Sequence, residues 1–499
     1  MLCDKEKHMS NILEAFLRED YVKWGDRDYL FEKKNGRYES ITFGQFIESV
    51  HAYAVALCQK GFHGKNIGIY SPNCTEWMIA EYAVACYVGI SVGIPKDWAY
   101  ERVEYAVKKC EIACLLYNEC FADNIERLKK AFPEVTFLSI QKDFATWVSE
   151  GKAAADLFTL PAKDDEKPAK IVFTSGTTSL PKAVMLSAKN IFSGYKSLGR
   201  RAPLGVEDVC YLFLPLNHTY GSIYNFTYSL VFGYQIYFAS SLKEMASEMQ
   251  EVRPTVFSGV PVVFSRFYEG AKAAHVTLQT LFGGRMKYLF SGGAPLGEEI
   301  RNAYQAEGMY MMNAYGLSET SSGFCIDYPE ETDLDSAGTL MEEIDAVVLE
   351  PDADGYGELA VKGDLVFCGY YGDEAATAKM FSKDGYFLTG DIGTIRNKKV
   401  YLKGRKDARL SLPNGETISI PALEAKIKAL RENVTAVKIY LRDDLLTADL
   451  YVKPVELAED QALWATLMEQ LNQSLAVFER IGQYHVYGAD QLHVKLVAE

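Results

Sequence analysis

Residues 43–61 read FGQFIESVHAYAVALCQKG, and they are followed by NIGIYSPN (66–73), EWMIAEYAVACYVGISVGIP (76–95), ERVEYAVKKCE (101–111) and ACLLYN (113–118). Helix-length amphipathic runs alternate here with short, nearly continuous apolar runs of strand length. Strands that alternate with helices in this way predict parallel βαβ units. The alternation returns beyond Lys170 in KIVFTSG (170–176), QIYFASS (235–241), PTVFSGVP (254–261) and MKYLFSGGAP (286–295). The first 330 or so residues are therefore expected to hold two doubly wound α/β layers.

Between Ile344 and Tyr401 the texture changes to short strand candidates split by Gly and Asp: DAVVLE (345–350), GELAVKG (357–363) and DGYFLTG (384–390). This predicts a small β-rich unit. A third change follows Tyr401, where a Gly- and Asn-bearing stretch leads into the helical run PALEAKIKALREN (421–433) and the strands VTAVKIYLR (434–442) and ADLYVKP (448–454). The domains expected are an N-terminal one over 1–403, a connecting segment at 404–407, and a small α+β domain over 408–499.

With 499 residues, 48% hydrophobic and 24% charged, the chain has the material for about three packed units. Its formal net charge of −15 has the wrong sign for a broad nucleic-acid-binding face. An anionic cofactor is still compatible, because helix N-termini and a few cations set the field inside a cleft. The stretch MLCDKEKHMSNILEAFL (1–17) carries acids, and no run of about 18 uncharged apolar residues occurs, so a cytoplasmic chain without integral membrane association is expected. Ten scattered cysteines without a C-x-x-C pair suggest neither a disulfide framework nor a zinc site.

Chemistry concentrates at residues 171–184, Ile-Val-Phe-Thr-Ser-Gly-Thr-Thr-Ser-Leu-Pro-Lys-Ala-Val. An apolar strand runs into small hydroxyl residues around Gly176, and Lys182 follows. Small side chains let backbone N–H groups and hydroxyls close around phosphate oxygens, and a lysine adds a point charge. The spacing is not that of a Walker loop. Four further segments accompany it: Ser-Gly-Gly-Ala-Pro-Leu (291–296), Asn-Ala-Tyr-Gly-Leu-Ser-Glu-Thr (313–320), Tyr-Phe-Leu-Thr-Gly-Asp-Ile-Gly (386–393) and Gly-Arg-Lys-Asp (404–407).

Together, and in this order, the five segments resemble the adenylate-forming superfamily of acyl-CoA synthetases, adenylation domains and luciferases. The resemblance implies a phosphate loop of Thr174, Ser175, Gly176, Thr177, Thr178 and Lys182. It implies an adenine-binding segment of Gly292, Gly293, Ala294 and Pro295 with Tyr315 beside the base. Ser318 and Glu319 would hold phosphates and Mg²⁺, an oxygen-preferring ion. Asp391 would bind the ribose hydroxyls, and Arg405 the ribose or phosphate. A C-terminal domain that turns about Asp407 between two half-reactions is implied as well.

Residues 214–221, Leu-Pro-Leu-Asn-His-Thr-Tyr-Gly, resemble the family segment beside the substrate carboxylate, which makes His218 the candidate there. No acid occurs from Tyr211 to Ser241 that could pair with an ammonium group, so an apolar-tailed acid is favoured over an amino acid. Residues 254–269 and Asn414-Gly415 resemble long-chain fatty acyl-CoA synthetases. Tyr220, Tyr224 and Val260 are expected to line the acyl site with His218, and Tyr220, Tyr224, Phe226, Tyr228 and Phe232 are candidates to line an acyl tunnel, with the chain length left open.

The function expected is therefore an ATP- and Mg²⁺-dependent ligase that adenylates an apolar-tailed carboxylic acid, a fatty acid by the resemblance, and passes the acyl group to coenzyme A. An acyl carrier protein is the alternative acceptor, and a nucleotide-binding sensor or scaffold the alternative class. The sequence departs from the family at Ser179 and Ala183, where glycine is common, and at the end of the chain, which lacks a Gly-Lys pair and leaves Lys495 as the candidate for the family's final lysine.

Overall fold

The computed structural model describes residues 12–174, 180–294, 296–330, 333, 335–406, 409–411, 417–442 and 445–489. The chain divides into two compact units: a large one of residues 1–347, 360–389 and 395–401, and a small one of residues 348–359, 390–394 and 402–499. Strands Ile344–Leu349, Gly357–Gly363, Phe387–Arg396 and Lys399–Arg405 are the β-rich stretch expected from the sequence, and the chain passes between the two units within them.

The large unit holds two sheets. In the first, the parallel strands Pro168–Thr174, Ile90–Gly93, Asn66–Tyr70, Ile112–Tyr117 and Thr136–Ser139 lie side by side in that order. Lys182–Ser187 and then Gly369–Tyr370 continue the sheet antiparallel beyond Pro168–Thr174. Val92, Leu115 and Ile171 on these strands bury against Val103 and Val107 of the helix Tyr100–Lys109. Burial on both faces explains why these strands read as continuous apolar runs.

Helix Phe43–Gln59 forms because Thr42 and Gln45 make a reciprocal capping box, and because Phe46, Val50, Tyr53 and Leu57 stack on one buried face. It packs so closely against helix Phe144–Ala154 that a Cβ on Gly151 would stand 1.8 Å from the Ala52 carbonyl oxygen. Only glycine fits there.

The second sheet has a parallel centre in the spatial order Tyr310–Tyr315, Tyr288–Gly292, Val256–Gly259, Val209–Leu212, Gln235–Phe238 and Asp28–Lys34. From Val209–Leu212 the next strand in sequence is laid to one side and the three after it to the other. The strand order thus reverses between Val209–Leu212 and Val256–Gly259, the place where open α/β sheets leave a crevice at their carboxyl ends.

Both sheets and the small unit match the α/β expectation. In the small unit, Val434–Arg442, Leu445–Val452 and Gln483–Gly488 form a three-stranded sheet. Helices Ile420–Lys428 and Gln461–Ser474 cover one face of it through Leu423, Ile427, Trp464, Met468 and Leu471. Among the described residues, no helix is long and apolar enough to cross a membrane.

Asp20, on helix Ile12–Trp24, is 1% exposed, and its Oδ2 has no hydrogen-bond partner. Burial pushes its carboxyl up from 3.8 to about 8, with Lys23 opposing the shift. The folded state therefore holds a proton that the unfolded chain releases near pH 4, so this group costs stability as pH rises from about 4 to about 8. Asp20→Asn is expected to raise stability by about 2 kcal/mol at pH 8 and to leave it unchanged below pH 4. Denaturation midpoints across that range check the pH dependence.

Candidate active site

The crevice where the strand order reverses receives four of the candidate segments. The chain leaves Val209–Leu212 into the loop that carries His218, and it leaves Val256–Gly259 into Val260. Gly292 ends Tyr288–Gly292, with Gly293 and Ala294 exposed just beyond, and Tyr315 ends Tyr310–Tyr315. Val260 Cγ1 lies 3.8 Å from where a Cβ on Gly293 would be. Four neighbouring parallel strands thus deliver His218, Val260, the glycine segment and Tyr315 to one edge. Tyr315 rests edge-on against Phe324, with ring centroids 4.9 Å apart.

The His218 loop is anchored to the first sheet. Asn73 donates to the Leu214 carbonyl at 2.8 Å and accepts from the Leu216 N–H at 3.0 Å. Asn217 packs over Gly93, where a Cβ would come within 3.0 Å of the Asn217 Cα. His218 Nδ1 accepts the Tyr220 N–H at 3.2 Å, which places the proton of a neutral imidazole on Nε2 as a donor. His218 is open to solvent, yet the surrounding protein and then the Lys170 ammonium hold its imidazolium below the usual histidine range. It is therefore a neutral hydrogen-bond donor at pH 7.

Lys170 is a residue whose role sequence reasoning missed. Its ammonium is 2.6 Å from Glu81 Oε1, with the two side chains only 2% and 6% exposed. Trp77 Nε1 donates to the other Glu81 oxygen at 3.1 Å. No local pattern pairs residues 89 positions apart, and within the sequence Lys170 reads only as the start of a strand.

In the first sheet, Thr174 pairs with Lys182 across the hairpin that flanks the phosphate-loop segment. Ala183 pairs with Phe173 in ordinary strand geometry, so its methyl group meets no left-handed backbone. Lys182 Nζ lies 4.7 Å over the ring of Tyr370. The Tyr370 hydroxyl in turn donates to Glu319 Oε1 at 2.8 Å. Glu319 is 8% exposed, sits in the short turn Ser318–Thr320, and its carbonyl accepts from the Phe367 N–H at 2.9 Å. Among the described residues its Oε2 has no hydrogen-bond partner, which leaves an oxygen for a hard cation, so the donor chemistry fits magnesium. Tyr370, like Lys170, was not singled out from the sequence; its place follows from the pairing of Gly369–Tyr370 with Lys182–Ser187.

In the small unit, Asp391 is 8% exposed and Arg405 Nη1 lies 3.2 Å from its Oδ1. The guanidinium covers Gly390, whose φ is +71° and where a Cβ would come 2.9 Å from Arg405 Nη2. The two residues expected to bind ribose and phosphate are therefore paired with each other. Ser175, Gly176, Thr177, Thr178, Ser179, Pro295, Asp407, Asn414, Gly415 and Lys495 lie outside the described residues.

Comparison with known proteins gives three findings. The profile of the AMP-binding enzyme family matches residues 17–371. A long-chain-fatty-acid–CoA ligase of Xenopus laevis is 25% identical over 487 residues, covering 83% of this chain and 66% of its own; this chain thus spans just under two thirds of that relative's length. Two solved structures share the fold: ATP-bound MatB from Rhodopseudomonas palustris, with a TM-score of 0.79, 21% identity and 94% of each chain covered, and O-succinylbenzoate coenzyme A synthetase from Bacillus subtilis in complex with ATP and magnesium ion, with a TM-score of 0.76, 20% identity, and 94% of this chain and 95% of that one covered.

Proposed function

This chain belongs to the AMP-binding enzyme family, and from that premise we propose that it is an AMP-forming acid–thiol ligase for an apolar-tailed carboxylic acid, with coenzyme A as the acceptor. The observation that carries the proposal is that neighbouring strands deliver His218, the glycine segment and Tyr315 to one sheet edge, with the buried carboxylate of Glu319 four residues beyond Tyr315. The relatives named as fatty-acid–CoA ligases support the acid class, and the neighbour bound to ATP and magnesium supports the cofactors.

In the first half-reaction, a carboxylate oxygen attacks the α-phosphorus of ATP, the bond to the bridging oxygen breaks, and pyrophosphate leaves. His218 Nε2–H orients the second carboxylate oxygen without presenting a cation that would hold the carboxylate in its ground state. Lys182 faces the phosphates as a point charge. Magnesium, held by Glu319, would supply neutralisation of the phosphate charge. In the second half-reaction, a thiolate attacks the acyl carbon and AMP leaves. In this proposal Asp407 is the hinge between the two steps, and Lys495 approaches the α-phosphate in the first.

No acidic residue follows His218 before Lys243, so an ammonium-bearing substrate would bury an unpaired charge at a cost of several kcal/mol. Incubation with ATP, magnesium, coenzyme A and a panel of apolar acids tests the proposal. AMP and acyl-CoA formed in equal amounts support it. Turnover of an acyl carrier protein with no turnover of coenzyme A would replace the acceptor.

Tyr370→Phe isolates one hydroxyl. It keeps the ring beneath Lys182 and removes the donor to Glu319 Oε1, so the carboxylate loses its orientation toward the cation. The expected result is a rise of about tenfold in the magnesium concentration for half-maximal activity, about 1.4 kcal/mol, with the KM for the acid unchanged. Magnesium titration of the variant checks it.

A further inference from the structure

The wall behind His218 carries an inference about the length of the acid, and it rests on the ligase reading above. The helix that follows His218 is a π-helix over Tyr220–Thr227, a rare geometry that concentrates at functional sites. Tyr220 and Tyr224 on it, and Tyr228 at the start of the α-helix Tyr228–Phe232 that continues it, follow one another at intervals of four, and each is seated against a glycine. A Cβ on Gly292 would come within 3.1 Å of the Tyr220 ring, one on Gly323 within 2.7 Å of the Tyr224 hydroxyl, and one on Gly194 within 2.8 Å of the Tyr228 hydroxyl.

The first two tyrosines are also tied down. Tyr220 donates to the Phe290 carbonyl at 2.8 Å and Tyr224 to the Gly323 carbonyl at 3.2 Å. Their rings meet edge to face with centroids 6.0 Å apart, and the Tyr224 and Tyr228 centroids are 5.4 Å apart. Accessibility falls along the row, from the open His218 through Tyr220 at 8% and Tyr224 at 5% to Tyr228 at 0%.

An acid whose carboxylate meets His218 must point its tail away from the phosphate-binding groups, and so into this row. Among the described residues, the opposite face of the π-helix is packed. Phe226 there packs into the core against Tyr29, Phe46 and Tyr82. The space beside Ile223 and Thr227 is about 10 Å³, room for one water at most, and it is bordered by the charged Lys170 and Glu81.

We propose that Tyr220 and Tyr224 close the acyl site a short distance behind His218, so that this protein activates short-chain carboxylic acids and excludes long-chain fatty acids. The tyrosines act as specificity-determining residues. Admitting a long chain would require both rings to leave close-packed seats and to break their hydrogen bonds to the Phe290 and Gly323 carbonyls.

The test is ATP–pyrophosphate exchange by the full chain with straight saturated acids from acetate to palmitate. The expected result is a kcat/KM maximum at or below hexanoate, with palmitate at least about tenfold lower. Tyr224→Ala should move the maximum toward longer acids, its folding checked by thermal melting. Should that variant fail to fold, the wild-type profile alone decides. A wild-type maximum at dodecanoate or longer, or a folded Tyr224→Ala variant with an unmoved maximum, would overturn the inference and leave the ligase reading intact. Exchange with no acid of any length would overturn the ligase reading itself.

Discussion

Glu319→Ala is expected to lower acid-dependent pyrophosphate exchange by about a hundredfold, on the order of 3 kcal/mol of transition-state stabilisation. The loss follows from what surrounds the carboxylate. Tyr370 fills one oxygen, the other has no hydrogen-bond partner among the described residues, and the side chain is 8% exposed. A cation that neutralises phosphate charge in a site with little water acts in a lower effective dielectric than bulk solvent, where each charge counts for more. Because the developing charge is greater in the transition state than in bound ATP, kcat should fall more than nucleotide affinity. Exchange in the variant at the wild-type rate would remove Glu319 from the metal site.

Lys170→Met is expected to destabilise the protein by about 3–5 kcal/mol, because it strands the Glu81 carboxylate in the core. The pair is 2.6 Å apart and almost wholly enclosed, and burial pushes the lysine below its usual range while Glu81 opposes that shift. Removing both charges in Lys170→Met with Glu81→Leu should restore most of the loss, since an apolar pair of similar volume needs no solvation. The single variant should also let the His218 imidazolium rise toward its ordinary range, because Lys170 is the charge that opposes it. Chemical denaturation of the two variants side by side checks the account. A single variant within 1 kcal/mol of wild type would show that water reaches Glu81.

The parallel strands were legible in the sequence because each is buried on both faces, so NIGIY and ACLLY carry no alternation to confuse with a half-exposed strand. The candidate site was legible only as separate segments. What joins them depends on pairing between distant strands: Tyr370 reaches Glu319 from 51 positions away, and Lys170 reaches Glu81 from 89. The π-helix over Tyr220–Thr227 was hidden for another reason. Its apolar spacing is that of any buried helix, and hydrogen bonding from i to i+5 leaves no separate mark in that pattern. The mutual pairing of Asp391 and Arg405 was likewise unreadable, since the motif types named both residues as ligands without saying that they neutralise each other.

Incorporation of labelled pyrophosphate into ATP, measured with magnesium and a panel of apolar and amino acids, tests the central claim most directly. It reports the first chemical step and needs no acceptor thiol. The account predicts exchange that depends on magnesium and on an apolar-tailed acid, with free amino acids inactive because the His218 segment from Tyr211 to Ser241 carries no acid to pair an ammonium. ATP binding without exchange for any acid would contradict it and leave a nucleotide-binding sensor in its place.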